Sequence, residues 1–68
     1  MSIQFNGKII PFHHPLTLEE VLRLHHIDVH TRGIAISVNE TLILKERWKT
    51  LVIQVSDRIE MIHAVQGG

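Results

Sequence analysis

Ile3-Gln4-Phe5-Asn6-Gly7-Lys8-Ile9-Ile10-Pro11-Phe12, followed by Leu16-Thr17-Leu18-Glu19-Glu20-Val21-Leu22, decides the fold. Ile3 and Phe5 alternate with Gln4 and Asn6, the period of two that belongs to a half-buried strand. Asn6-Gly7 then supplies the two positive-φ residues that a type I′ hairpin turn needs. A turn there sets Phe5 opposite Lys8 and Ile3 opposite Ile10, with Ile10 and Phe12 on the same inner face. Pro11 has no N–H to give to a ladder, so the second strand belongs at a sheet edge. The next segment predicts a helix. Thr17-Leu18-Glu19-Glu20 fits a capping box, and Leu16 with Val21 fits a hydrophobic staple around it. Leu18, Val21, Leu22 and His25 recur on one helical face. The helix is expected to end near His25 or His26, and residues 27–32 form a connection closed by Gly33.

Further along, Ile34-Ala35-Ile36-Ser37-Val38 predicts a strand with Ile34, Ile36 and Val38 inward. Asn39-Glu40 turns into a short apolar strand, Thr41-Leu42-Ile43-Leu44, and Lys45-Glu46-Arg47-Trp48 suits a single helical turn. Val52-Ile53-Gln54-Val55 reads as a short strand or an extended approach to Ser56-Asp57. The last strand runs from Arg58 to Val65. A hairpin, a crossover helix and a parallel return make an α+β chain of the β-grasp type. It has a mixed four- to five-stranded sheet with one main helix packed across one face. Residues 1–65 form that domain, and residues 66–68 are expected to be a flexible tail.

Composition narrows the function. The chain has 68 residues and no cysteine. A domain of this size buries only about 60% of its unfolded surface, which leaves little room for an enclosed active site. Seven basic and seven acidic residues cancel and are scattered, so no basic face for nucleic acid is visible. No apolar run reaches the length of a spanning helix, and Met1-Ser2-Ile3-Gln4 lacks the basic and apolar regions of a signal peptide. The expectation is a cytoplasmic protein without membrane or nucleic-acid partners. Six histidines invite a metal site, but His13 and His14 are strand neighbours facing opposite ways. His26 and His30 straddle the predicted helix end. No metal or intrinsic cofactor is expected, and no nucleophile–base constellation marks an enzyme.

The sequence closes on Gln66-Gly67-Gly68. Two glycines are expected to present an unhindered carboxylate on a flexible stalk, which suits chemistry on the carboxylate itself. Taken with the segments before it, the chain resembles the thiamine-biosynthesis sulfur carriers (ThiS), a ubiquitin-like β-grasp family. The likeness is carried by Ile3-x-Phe5-Asn6-Gly7, by Leu16-Thr17-Leu18-x-x-Val21-Leu22, by Ile34-Ala35-Ile36-Ser37-Val38-Asn39 and by Trp48. Asp57-x-Ile59-Glu60-Met61-Ile62-x-Ala64-Val65-x-Gly67-Gly68 completes it. Ser56 departs from the pattern, standing where the family often has glycine, as does Leu44-Lys45, where it often has a proline.

The resemblance implies a protein co-substrate and not an enzyme. A ubiquitin-activating-like adenylyltransferase would use ATP to adenylate the Gly68 carboxylate. A persulfide sulfur donor would then convert it to a thiocarboxylate, and thiazole synthase would take the sulfur. The small subunit of molybdopterin synthase, a lysine-conjugating modifier and a β-grasp interaction module whose tail is never activated are the alternatives. A carrier also needs a docking face. By alternation Ala35, Ser37, Glu60, Ile62 and Ala64 point away from the helix, and they are the expected partner-binding residues, with Ile62 the main anchor.

Overall fold

The Asn6-Gly7 turn forms as its sequence predicts, with φ of 49° and 84°. It joins β1 (Ser2–Phe5) to β2 (Lys8–Pro11) in the register Ile3↔Ile10 and Phe5↔Lys8. The computed structural model describes residues 1–63. Its further elements are β3 (Leu16–Thr17), α1 (Leu18–Leu24), β4 (Ile34–Val38), β5 (Thr41–Ile43), a 3-10 turn (Lys45–Arg47), β6 (Val52–Ile53) and β7 (Arg58–His63). Five strands form one sheet in the order β2-β1-β7-β4-β5, and β3 pairs with β6 apart from it. β7 runs parallel to β1 and antiparallel to β4, so the last strand described is the middle one. Pro11 lies on an outermost strand, where its missing N–H costs no ladder bond.

Helix α1 is held at both ends. The Thr17 hydroxyl accepts the Glu20 N–H at 3.2 Å, and the Glu20 carboxylate accepts the Thr17 N–H at 2.8 Å. This reciprocal box satisfies donors that a helix start leaves unpaired. The Leu18 and Glu19 N–H groups donate to the carbonyls of Leu51 and Trp48. At the other end His26 takes the left-handed conformation (φ 60°), with Ile27 N–H donating to Leu22 and His26 N–H to Arg23. That pair of bonds is a Schellman motif, built here on histidine where glycine is usual.

The core lies between α1 and the inner sheet face. It contains Ile3, Phe5, Phe12, Leu16, Leu18, Val21, Leu22, Ile36, Val38 and Ile59. Trp48 belongs to it as well, with its indole N–H donating to the Ile43 carbonyl at 3.1 Å. Val29, on the connection after the helix, is also buried. The Val52 segment resolves into a two-residue strand paired with Leu16–Thr17. That pairing joins residues far apart in the chain, so no local pattern announces it. No helix is long and apolar enough to cross a membrane among the described residues.

Candidate functional site

The outer sheet face is set by strand register. Ala35 pairs with Ile62, and Ser37 pairs with Glu60 across β4 and β7. Since Ile36, Val38 and Ile59 are buried on the helix side, these four occupy the opposite face. Ala35, Glu60 and Ile62 are exposed and Ser37 is half-buried. Ile62 stands 66% exposed, so its apolar surface is free for a partner to cover. Ala64, Gln66, Gly67 and Gly68 lie outside the described residues, as does the expected boundary between domain and tail.

The face is broader than the alternation of β4 and β7 alone indicates. The two-residue Asn39-Glu40 turn sets Ser37 opposite Leu42, which places Leu42 beside Ser37 on the outer side. Leu42 and Leu44 are 64% and 60% exposed. On the far margin Ile9 sits opposite Gln4, which in turn sits opposite Arg58. Apolar side chains thus flank a centre of Ala35, Ser37, Glu60 and Ile62. The signal for Leu42 was present in the sequence, because a two-residue turn with both φ values positive dictates the register after it.

Turns at one end of the sheet are fixed by Asp57. Its carboxylate accepts the Gln54 N–H at 2.7 Å and the Asn39 side-chain amide at 2.8 Å, while Asn39 Oδ1 accepts the Arg58 N–H at 2.9 Å. Asp57 therefore clamps two loops. At the other end of β7, Asn6 Oδ1 accepts the Met61 N–H at 2.8 Å. His25 stacks on Phe5 with ring centroids 4.3 Å apart, and its Nδ1 lies 2.8 Å from the Val21 carbonyl. That carbonyl only accepts, so Nδ1 carries the proton.

Among titratable groups, Glu20 has its carboxyl held below the ordinary value. The largest cause is the Thr17 backbone N–H; desolvation opposes it, and the Thr17 hydroxyl and then His14 add to the lowering. This is a helix cap and not a catalytic acid. Among the described residues no three His, Asp or Glu side chains are grouped to hold a metal ion. A groove of about 340 Å³ lined by Phe5, Asn6, Lys8, His25, Ile27 and Met61 is open to solvent.

The model of the ThiS family matches residues 3–68. The chain belongs to the ThiS family. The sulfur carrier protein ThiS of Escherichia coli is 26% identical over 68 residues, covering the whole of both chains. An uncharacterized protein, ycf40 of Porphyra purpurea, is 34% identical over all of this chain and 93% of its own length. The crystal structure of the thiamine biosynthesis protein (ThiS) from Geobacter metallireducens matches with a TM-score of 0.82 at 18% identity, each chain covered completely. That likeness shows the ubiquitin-like β-grasp fold. The hairpin, capped helix and central last strand of this ThiS-family chain are its parts.

Proposed function

We propose that the chain is a sulfur carrier of thiamine biosynthesis, acting in the cytoplasm as a co-substrate and not as a catalyst. The observation that carries this reading is the family match, which runs through Gly67 and Gly68. A carboxylate is a poor electrophile, so it has to be given a leaving group before a nucleophile displaces it. The Gly68 carboxylate attacks the α-phosphorus of ATP on a ubiquitin-activating-like adenylyltransferase, and pyrophosphate leaves. A persulfide sulfur then attacks the acyl carbon and expels AMP. Cleavage of the resulting S–S bond by a thiol leaves the thiocarboxylate, which thiazole synthase consumes.

Glycine suits both tail positions for physical reasons. Gly68 has no Cβ to obstruct the incoming sulfur, and Gly67 passes through a narrow channel in conformations closed to other residues. Ala35, Ser37, Glu60, Ile62 and Ala64, with Leu42 beside them, form the docking face. The chain has no cysteine, so the transferred sulfur comes from a partner.

Intact-mass measurement after incubation with ATP, the activating enzyme and a persulfide donor tests the reading. A gain of about 16 Da, oxygen replaced by sulfur, is expected. An unchanged mass contradicts the carrier role and favours an interaction module.

A further inference from the structure

The Asn6-Gly7 turn carries a reactivity that the carrier cycle does not use. The backbone nitrogen after an asparagine can attack that asparagine's side-chain carbonyl carbon, and a glycine there offers the least obstruction. Asn6 and Gly7 are both exposed, and a Cβ placed on Gly7 would meet nothing within 4 Å. One contact opposes the attack. Asn6 Oδ1 accepts the Met61 N–H at 2.8 Å, which holds the side chain against β7. Asn39 differs on both counts. It precedes Glu40, and its amide is engaged at both ends, donating to Asp57 and accepting from Arg58.

We propose that Asn6 is a spontaneous modification site gated by Met61, forming a succinimide with Gly7 when the end of β7 lifts from the hairpin turn. The Gly7 nitrogen bonds to Asn6 Cγ, the Cγ–Nδ2 bond breaks, and ammonia leaves with the proton lost by Gly7. Water then opens the ring at either carbonyl, giving aspartate or isoaspartate. Aspartate keeps an oxygen for Met61. Isoaspartate adds a methylene to the main chain, which a two-residue type I′ turn does not accommodate, and the tie to β7 is lost. The turn thus records how often the strand leading to residues 64–68 has opened. The chemistry is independent of what happens at Gly68.

Peptide mapping of the full chain by mass spectrometry, in mildly alkaline buffer with and without denaturing urea, tests this. Asn6 is expected to gain about 1 Da in both conditions. The native rate should be about tenfold lower or less, the factor an ordinary hydrogen bond places on a local opening. Asn39 should stay unchanged over the same time. Asn6→Gln, whose longer side chain closes a larger ring slowly, should abolish the gain. Equal rates in the two conditions, a gain at Asn39 as fast as at Asn6, or no gain at Asn6 in urea overturns the proposal.

Discussion

Asn6 and Met61 are 55 residues apart in sequence and joined by one hydrogen bond, from the Met61 N–H to Asn6 Oδ1 at 2.8 Å. β1 ends at Phe5, opposite Ile59, while β7 continues to His63. Among the described residues, no strand lies on the β1 side of β7 beyond Ile59. The Asn6 side-chain oxygen supplies the next acceptor, so the parallel ladder is extended by a side chain. This ties β7, which also pairs with β4, to the hairpin turn.

Asn6→Gly tests that role cleanly, because glycine tolerates the φ of 49° that Asn6 adopts. The substitution should lower stability by about 1 kcal/mol in urea unfolding, one exposed hydrogen bond plus some chain entropy. Amide exchange at Met61 should accelerate. Unchanged exchange there would show the bond to be incidental.

The outer face should behave as a binding surface and not as core. Ile62→Asp is expected to leave the thermal midpoint nearly unchanged, since Ile62 is 66% exposed. It should raise the KM of the activating enzyme for the carrier about tenfold or more, as loss of a central anchor does. Leu42→Asp should act in the same direction with a smaller effect. A wild-type KM for both variants would move the docking surface elsewhere.

His26 and Ser56 adopt φ values of 60° and 69°, in the region that favours glycine. Both are exposed. His26→Gly and Ser56→Gly should each raise stability by about 0.5–1 kcal/mol, the strain relieved exceeding the added entropy of the unfolded chain. Denaturant midpoints of the two variants check this, and a fall in either midpoint is the contrary result.

The cap of α1 gives a pH dependence of known sign. The Glu20 carboxyl is held low in the fold, chiefly by the Thr17 N–H. Its ionised form therefore contributes stability above the unfolded carboxyl's ordinary value, and this is lost as pH falls through the lower folded value. Glu20→Gln keeps the reciprocal hydrogen bonds without titrating. Wild type should lose more stability than this variant on acidification below the ordinary carboxylate range. Thr17→Ala should cost about 1 kcal/mol at neutral pH. Parallel acid-dependence of wild type and Glu20→Gln would contradict the assignment.

Local chemistry made much of this legible from the sequence. Asn6-Gly7 fixed a register, Pro11 marked an edge, and Thr17 with Glu20 marked the helix start, because each acts over a few residues. The single turn expected at Lys45-Glu46-Arg47-Trp48 forms, with Trp48 buried at its end. The pairing of Leu16–Thr17 with Val52–Ile53 was not legible, nor the burial of Val29, nor the tie between Asn6 and Met61. Each joins segments distant in the chain, where periodicity has nothing to report. The central part of the docking face followed from alternation, while Leu42 required the turn geometry of Asn39-Glu40 as well.

The central claim is that the folded body positions a reacting carboxylate at Gly68 and does no chemistry itself. Deleting Gly67 and Gly68 tests it most directly, with thermal unfolding and thiocarboxylate formation measured on the same samples. The truncated chain should melt as the wild type does and gain no sulfur when given ATP, the activating enzyme and a persulfide donor. A truncated chain that still gains the sulfur, or one that no longer folds, contradicts it.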